Sequence, residues 1–276
     1  MNSHVARVPV GVPVSVFLDY DGTLVPIRRK PELAVLPPKR RAELARLARR
    51  TLVGIVSGRP LAEIRRLVGV PGISYIGNHG MEIHAAGRTW VHPEAKRRAG
   101  EVARAAAAVE KRTLGYPGVF VERKGLTASV HYRLAAAGFR GPVRAIVADE
   151  VRRGRGALTL TRGKMVLEIR PDVEWDKGRG VLKLMDLTGC PRWCFPVYVG
   201  DDRTDEDAFR ALAGWGLTIH VGAKKRTLAA RRIAEVDGVW AFLSELRPRI
   251  PPFAPAGRKR GRACADSVRG ASLYRE

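Results

Sequence analysis

Two aspartates separated by a single residue follow the first apolar stretch of the chain. Residues 14–18 are apolar and rich in β-branched side chains, so they predict a buried strand that runs directly into Asp19 and Asp21. One of these carboxylates can attack phosphorus to form an aspartyl-phosphate, and the other can pass a proton to the leaving oxygen. The alternative interpretation is a strand that ends in an ordinary Asp-Gly turn.

The same pair predicts a metal ion. Ligands of open parallel sheets bind where the strands end at their carboxyl edge. Asp19 and Asp21 repel each other there and lose water, so a divalent cation is expected to compensate their charge. Gly22 comes next and permits a tight turn that brings backbone amides near phosphoryl oxygens.

Three more polar motifs stand at comparable places in the chain. Ser57-Gly58-Arg59 follows an apolar strand predicted at 52–56, and Gly200-Asp201-Asp202 follows another predicted at 196–199. Lys177-Gly178 opens a helix for which Asp176 is a candidate N-cap. If the strands are parallel, all four motifs meet at one edge of the sheet. Any one of these motifs has a structural explanation, such as an acidic first helical turn, but their shared position favours one active site.

Each residue of this constellation has a predicted role. Asp19 is the nucleophile and Asp21 the acid and base. Mg²⁺ is held by Asp19, Asp201 and the backbone carbonyl of Asp21. Ser57 donates a hydrogen bond to the phosphoryl group, and Lys177 neutralises its growing charge.

Two further acids are expected to act indirectly. Asp205 is expected to orient Lys177 or metal-bound water, and Asp202 lies next to the predicted ligand Asp201.

The elements that position these residues read as two interleaved modules. Strand, polar turn and helix repeat through residues 1–84 and again through 171–250, which predicts an α/β doubly wound parallel-sheet core. Between them, residues 85–170 contain strand pairs around short Gly turns, which are antiparallel in character and predict an inserted α/β cap. Residues 251–276 are rich in Pro, Gly, Ala and Arg and predict a disordered basic tail.

Composition narrows the function classes. The net charge is +23 over 276 residues. The arginine clusters lack interleaved aromatic side chains, and no nucleic-acid-binding motif follows them. We therefore interpret the positive charge as solvated helix faces and do not expect a nucleic-acid partner. No apolar run reaches the roughly 20 residues of a membrane span. Three cysteines and no signal-peptide pattern predict reduced thiols and a cytoplasmic protein, expected to be a monomer.

The motifs together resemble a known family. Asp19-Tyr20-Asp21-Gly22-Thr23-Leu24 resembles the first motif of the haloacid dehalogenase superfamily, whose core is a Rossmann-like sheet. From about residue 14 to 245 the chain resembles trehalose-6-phosphate phosphatases, in which the remaining matching strings are Ser57-Gly58-Arg59, Gly77-Asn78-His79-Gly80, Glu122-Arg123-Lys124-Gly125, Val130-His131-Tyr132-Arg133, Gly163-Lys164, Glu168-Ile169-Arg170-Pro171, Trp175-Asp176-Lys177-Gly178 and Gly200-Asp201-Asp202-Arg203-Thr204-Asp205-Glu206.

The resemblance implies a Mg²⁺-dependent hydrolase that releases trehalose and phosphate from a sugar-phosphate substrate. It also implies that the substrate contacts a set of core and cap residues, which are Gly58, Arg59, Asn78, His79, Glu122, Lys124 and Glu168. Two alternatives stay open from the sequence. One is a related phosphatase or phosphomutase that acts on another sugar phosphate, such as sucrose 6-phosphate or mannosyl-glycerate phosphate. The other is a non-catalytic binding module with the same fold.

Overall fold

The structure is a computed structural model that describes residues 4–28, 31–163, 165–190, 194–223 and 226–251. Within these ranges the strands, in chain order, are β1 (Val14–Asp19), β2 (Leu52–Val56), β3 (Ser74–Gly77), β4 (Glu82–Ala85), β5 (Arg88–Val91), β6 (Phe120–Arg123), β7 (Ala128–His131), β8 (Leu158–Gly163), β9 (Val166–Pro171), β10 (Phe195–Gly200), β11 (Leu217–Val221) and β12 (Arg231–Ile233). The α-helices are α1 (Pro38–Ala48), α2 (Leu61–Val68), α3 (Pro93–Arg97), α4 (Ala99–Arg112), α5 (Ala137–Arg153), α6 (Lys177–Leu187), α7 (Asp205–Ala211) and α8 (Val236–Leu246). Short 3-10 turns cover Val5–Arg7, Pro31–Leu33, Asn78–Gly80 and Arg247–Arg249.

The larger sheet confirms the predicted doubly wound core. Its strand order is β12-β11-β10-β1-β2-β3-β4-β5, and every pair from β12 to β3 is parallel. β1 lies at the centre of the sheet, and the order reverses on either side of it, which is where open α/β sheets bind ligands. The last two strands, β4 and β5, run antiparallel at one edge.

Alternate side chains of the central strand pack against different helix layers. Val16 and Leu18 point into a core cluster shared with α1, α2 and α8. Phe17 points to the other face, where α6 and α7 cover it. Gly54 of β2 gives Phe17 its space, because a Cβ there would lie 2.8 Å from the Phe17 ring. Burial on both faces explains why β1 reads as a nearly continuous apolar run up to Asp19, interrupted only by Ser15, rather than as an alternating strand.

The predicted cap is a four-stranded antiparallel sheet with two helices on one face. Its order is β6-β7-β9-β8, and α4 and α5 pack against it through a separate hydrophobic cluster. Val130, Leu167 and Ile169 point toward the helices. Their strand neighbours point the other way, toward the carboxyl edge of the core. The period-2 alternation of these strands therefore leaves one face of the cap free to cover the active site.

The chain crosses between the two sheets twice, and aromatic side chains pack at the crossings. Trp90 at the end of the core sheet and Trp175 on the returning segment have ring centroids 5.4 Å apart, and His92 lies 4.7 Å from Trp175. The indole Nε1 of Trp175 donates to the carbonyl of Gly80 at 2.7 Å. These contacts join the two crossings to the turn that follows β3.

Three local expectations differ from the structure. The core sheet continues past residue 84 to Val91, so the chain leaves the core sheet only after β5. β5 is largely exposed, and its sequence therefore lacks the apolar pattern of a core strand. The Ala- and Arg-rich stretch 92–114 predicts one long helix, but the structure divides it at Arg98, whose guanidinium reaches the carbonyl of Asp172 on the returning crossing. Residues 141–153, with Pro142 near their start, predict a second helix, which in the structure begins earlier, at Ala137, because Phe139 stacks on Tyr116 and holds an extra turn. Pro142 is consequently inside the helix.

Two expectations fall elsewhere. Lys164 of the predicted hairpin and almost all of the predicted basic tail at 251–276 lie outside the described residues. Among the described helices, none combines the length and the apolar character that crossing a membrane requires.

Candidate active site

Three neighbouring parallel strands deliver the predicted acidic and hydroxyl side chains to one edge. Asp19 is the last residue of β1, Ser57 follows β2 and Asp201 follows β10, and β1 pairs in parallel with both of the others. Lys177 is the first residue of α6, which begins where predicted because the side chain of Asp176 accepts from the backbone of its first turn. The four motifs, which lie between residues 19 and 202 of the chain, therefore meet at one edge of the sheet.

Lys177 is the centre of this site. Its Nζ donates to Asp19 Oδ1 at 2.7 Å and to Asp205 Oδ1 at 2.8 Å, and only 3% of its side chain is exposed. Burial by itself lowers the pKa of Lys177, but the two carboxylates outweigh burial and raise it. The ammonium is therefore charged at any pH at which the protein would work.

Asp205 holds Lys177 in place by accepting a hydrogen bond from its ammonium group. It is fully buried, and Tyr198 donates its hydroxyl to Asp205 Oδ1 at 2.7 Å. The backbone N–H of Asp202 donates to Asp205 Oδ2 at 2.9 Å. Burial and the charge of Asp205 raise the pKa of Tyr198 well above its usual value, so this hydroxyl keeps its proton and remains a donor. The expectation that Asp205 orients Lys177 agrees with these contacts.

Three carboxylates approach one another closely enough to share a cation. Ligand oxygens of Asp19, Asp201 and Asp205 all lie within 4.8 Å of one another. Both oxygens of Asp205 already accept hydrogen bonds, whereas Asp19 and Asp201 border the open cleft. The donor set that faces the cleft therefore contains hard carboxylate oxygens, which suit Mg²⁺.

The electrostatics of this cluster favour a bound cation. Burial raises the pKa of Asp19, and Asp205 and Asp201 raise it further against the opposing effect of Lys177. Burial and Asp205 raise the pKa of Asp201 to about 7. One ammonium does not balance three carboxylates, so a divalent cation would relieve their repulsion.

Gly22 is required where the loop after β1 passes the metal-side carboxylate. Its φ is +89°, and a Cβ at this position would lie 2.2 Å from Asp201 Oδ2. The hydroxyl of Thr23 donates to Asp201 Oδ1 at 3.5 Å. The close approach places this turn beside Asp201.

Arg59 was expected to bind substrate; its side chain lines the cleft, where it pairs with an acid. Its guanidinium donates to both oxygens of Asp21, at 2.6 and 2.7 Å, and also to Glu63 in the first turn of α2. The side chain is only 10% exposed. Burial lowers the pKa of Arg59, and Asp21 and Glu63 more than reverse that effect. Ser57 is buried at the base of the same loop, where its Oγ accepts from the Arg59 backbone N–H at 3.1 Å.

The cap presents a second polar cluster to the core. Lys124 Nζ lies 3.4 Å from Glu168 Oε1 and 4.0 Å from Glu122 Oε2. His79, from the core, reaches Glu168 Oε2 at 3.0 Å through Nε2, and His131 of β7 reaches Glu122 Oε2 at 2.8 Å. The three cap residues that the family resemblance implied therefore form one connected group with two histidines.

The charges of this group hold its carboxylates ionised. Burial pushes the pKa of Glu168 upward, but His79, Lys124 and Arg170 outweigh it and lower the pKa to about 2. Burial also raises the pKa of Glu122, but His131 and Lys124 outweigh burial and bring this pKa below its usual value. Burial lowers the pKa of His79 despite the neighbouring Glu168. Ionised carboxylates beside a lysine are good partners for sugar hydroxyls.

Asn78 was also expected to bind substrate, and the structure places it away from the cleft. It is 0% exposed, and its side chain bonds to Glu82 and Thr127 and to the carbonyl of Lys124. Asn78 therefore joins the core to the cap hairpin, while its neighbour His79 borders the cleft.

One cleft of about 1600 Å³ lies between these two clusters. The predicted residues that line it come from both walls, and they are Asp19, Asp21, Ser57, Gly58, Arg59, His79, Glu122, Lys124, Glu168, Lys177, Asp201 and Asp202. Gly58 gives His79 its space, because a Cβ there would lie 2.5 Å from the imidazole. The core and cap sites predicted separately therefore belong to a single cavity.

Two residues of this site carried no predicted role. His131 stands in a string quoted for the family resemblance, and strand alternation could have placed it on the face of Ser129 and Glu122. Tyr198 is an interior residue of an apolar strand, and nothing in the sequence distinguishes it from an ordinary core tyrosine. Only the fold shows that its hydroxyl ends on Asp205.

Comparison with known proteins agrees with this architecture. The sequence profile of the trehalose-phosphatase family matches residues 17–233. A trehalose-phosphate phosphatase of Mycobacterium tuberculosis is 42% identical over 222 residues, which are 79% of this chain and 54% of the relative. The chain thus spans about half the length of the curated relatives it matches.

Solved structures show the same fold. A protein described as related to trehalose-6-phosphate phosphatase superposes with a TM-score of 0.75 at 28% identity, covering 85% of this chain and 97% of that one. The C-terminal domain of trehalose-6-phosphate phosphatase from Candida albicans superposes with a TM-score of 0.71 at 23% identity, covering 89% and 94%. Core, cap and the Asp19–Lys177–Asp201 edge define a member of the haloacid dehalogenase superfamily. Within it, the chain belongs to the trehalose-phosphatase family.

Proposed function

We propose that this chain hydrolyses trehalose 6-phosphate to trehalose and phosphate, with Mg²⁺ and through an aspartyl-phosphate on Asp19. The observation that supports the proposal is the single cleft with two unlike walls. One wall carries the Asp19–Lys177 pair, which suits phosphoryl transfer, and the other carries Glu122, Lys124 and Glu168, which suit a polyhydroxylated sugar. The unbridged Cys190 and Cys194 support a cytoplasmic setting.

The reaction takes two displacements at phosphorus. Asp19 attacks the phosphorus, the bond from phosphorus to the sugar oxygen breaks, and Asp21 gives its proton to that oxygen. Water then attacks the phosphorus while Asp21 takes its proton, and the bond to Asp19 breaks to release phosphate. Lys177 holds one oxygen of Asp19 throughout, which orients the attacking carboxylate and opposes the charge that develops on the phosphoryl group.

Proton transfer by Asp21 is easier if Arg59 moves away from one of its oxygens. Both Asp21 oxygens accept from Arg59, so each oxygen has only one lone pair left for the proton that Asp21 carries. Glu63 gives the guanidinium a second carboxylate partner in the same place. Arg59 can therefore release Asp21 without becoming an unpaired buried charge, which would cost several kcal/mol.

Asp19 and Asp201 would hold Mg²⁺, with the backbone carbonyl of Asp21 as the third protein ligand that the sequence predicted. When bound, the cation would neutralise the carboxylates and the phosphate that approaches them. Asp205 keeps to its contacts with Lys177 and Tyr198. Its role is to hold the ammonium and not to bind the metal.

Substrate choice rests on the cap wall. Trehalose 6-phosphate and glucose 6-phosphate offer the same phosphate to the core, but only the disaccharide has a second ring for Glu122, Lys124 and Glu168. Hydrogen bonds to charged groups are worth about 1.5–3 kcal/mol each, so loss of one is expected to cost roughly tenfold or more in kcat/KM. The cap therefore separates this activity from that of phosphatases for other sugar phosphates.

Phosphate release from a panel of substrates tests the proposal. Trehalose 6-phosphate should be hydrolysed with a kcat/KM at least tenfold above those for glucose 6-phosphate and sucrose 6-phosphate, with p-nitrophenyl phosphate as the reference. Glu122→Ala should lower the ratio of trehalose 6-phosphate to p-nitrophenyl phosphate turnover roughly 10- to 100-fold. Glu110→Ala is the matched control, because Glu110 is an exposed cap glutamate that pairs with Arg123. A preference for another sugar phosphate would reassign the substrate, and no turnover of any phosphate would refute the enzyme.

A further inference from the structure

The turn after β3 has an unusual backbone that the core holds on both sides. Asn78 and His79 both have positive φ, 45° and 56°, a conformation that is uncommon outside glycine. The N–H of Asn78 donates to the carbonyl of Arg59 at 2.8 Å, and the N–H of His79 donates to the carbonyl of Ser57 at 3.1 Å. The turn is therefore built directly onto the loop that carries the predicted phosphate-binding serine.

The side-chain amide of Asn78 uses both of its N–H donors and its oxygen in hydrogen bonds to the protein. Nδ2 donates to Glu82 Oε2 at 2.6 Å and to the carbonyl oxygen of Lys124 at 3.1 Å, and Oδ1 accepts from the hydroxyl of Thr127 at 3.0 Å. A carboxylate and a carbonyl can only accept, so the orientation of the amide follows from its partners. Glu82 Oε2 also accepts from the backbone N–H of Leu61, the first residue of α2.

We infer that Asn78, Glu82 and Thr127, together with the carbonyl of Lys124, position the sugar-reading hairpin of the cap on the phosphate-binding loop of the core. We call this group the hairpin clamp. The inference rests on the proposed function, because it assigns Asn78 and Thr127 as positioning residues for recognition of the sugar.

The clamp acts on Lys124, one of the three cap residues assigned to the sugar. The turn between β6 and β7 is closed by Lys124 N–H on the carbonyl of Thr127 at 2.8 Å and by Leu126 N–H on the carbonyl of Lys124 at 3.0 Å. Asn78, which belongs to the core, donates a hydrogen bond from Nδ2 to the same Lys124 carbonyl. The backbone of Lys124 is thereby held while its Nζ extends to Glu168.

Two observations separate positioning from substrate contact. Asn78 is 0% exposed and Thr127 is 1% exposed, so neither presents a polar atom to the cleft. The hydroxyl of Thr127 bonds to Asn78 Oδ1, and Asn78 touches the hairpin only through Thr127 and the Lys124 carbonyl among the bonds described. Removal of the Thr127 hydroxyl therefore breaks a bond of the clamp and takes no polar atom away from the cleft.

Thr127→Val and Thr127→Ser form a matched pair that tests the clamp. Valine keeps the shape and removes the hydroxyl, whereas serine keeps the hydroxyl and removes a methyl group. Thr127→Val is expected to raise KM for trehalose 6-phosphate roughly 3- to 10-fold, the value of one neutral hydrogen bond, with p-nitrophenyl phosphate kinetics within twofold of wild type. Thr127→Ser is expected to restore the wild-type KM.

Hydrogen–deuterium exchange gives a second readout that needs no substrate. Thr127→Val should speed amide exchange in the segment 120–131 by a similar factor while β2 exchanges as in the wild type, and Thr127→Ser should leave both unchanged. If the wild type proves inactive on trehalose 6-phosphate, the proposed function fails, and the exchange result still decides whether the clamp exists. Unchanged exchange in the hairpin, or an equal loss on both substrates, would overturn the inference.

Discussion

Lys177→Met offers the sharpest test of the charge arrangement at the active site. The substitution keeps the length and apolar stem of the side chain and removes a buried ammonium that lies 2.7 Å from Asp19 and 2.8 Å from Asp205. Asp201 completes a group of three carboxylates, whose only direct cationic partner among the described hydrogen bonds is Lys177. In metal-free buffer, the variant therefore leaves three neighbouring carboxylates without this ammonium to compensate their charge.

The expected cost is a substantial part of the total stability. At 2.7 Å and an effective dielectric of about 20, each contact contributes about 6 kcal/mol of attraction, from which the desolvation of the ammonium must be subtracted. Removal of one partner from a buried ion pair costs about 3–5 kcal/mol in practice. For a chain of this size such a loss lowers Tm by roughly 6–20 °C. Turnover should fall at least about 100-fold, because the charge that opposes the phosphoryl group is gone.

Thermal melts in EDTA of Lys177→Met and two companion variants test this expectation. Lys183→Met is the control on the same helix, where the ammonium pairs with Asp186 at the surface, and it should change stability by about 1 kcal/mol or less. Asp205→Asn added to Lys177→Met should recover part of the loss, because it removes one of the uncompensated acids, and it should recover no activity. The reasoning is refuted if Lys177→Met melts with the control, or if the second substitution destabilises it further.

Three further outcomes follow from the same site. Asp19→Asn should abolish phosphate release and raise Tm in EDTA, since it removes one like charge from the cluster; turnover well above background would contradict its role as nucleophile. Chelation should abolish activity, and added Mg²⁺ should restore it, with Mn²⁺ as a substitute, so full turnover in exhaustively chelated buffer would exclude the metal. Glu168, whose folded pKa is depressed to about 2, should contribute stability that is present above its unfolded pKa of about 4.3 and is lost as pH falls toward 2. Denaturant midpoints between pH 5 and 3 should therefore fall less steeply for Glu168→Gln, and parallel curves would show that its charge partners are not engaged.

The core of the fold could be predicted because buried parallel strands have a strong local pattern. β1, β2 and β10 are short apolar runs with polar motifs directly after them, and their parallel pairing makes the convergence of those motifs a geometric necessity. β12, with only three residues, is too short to show any periodicity. It forms because β11 offers a parallel edge, and that edge is a tertiary feature.

Helix ends in the cap depended on contacts that no local pattern contains. Arg98 divides α3 from α4 while its guanidinium crosses to the carbonyls of Ala157 and Asp172, residues far along the chain. Phe139 extends α5 toward its N-terminus by stacking on Tyr116, with ring centroids 4.9 Å apart. Both features depend on tertiary contacts within and beside the cap, between residues that are distant in the sequence.

The protein partners of Arg59 and Asn78 in the active site could not be predicted from the sequence. Strand ends identify polar residues that lie near a ligand, but whether each one faces the ligand or a protein group depends on its distant partners. Arg59 meets Asp21 and Glu63, and Asn78 meets Thr127, 49 residues further along the chain. Because a buried polar group must be satisfied, each of these side chains is committed to the protein before any substrate arrives. Their contribution to recognition then runs through the groups they hold, which makes the partners of a site residue as informative as its position.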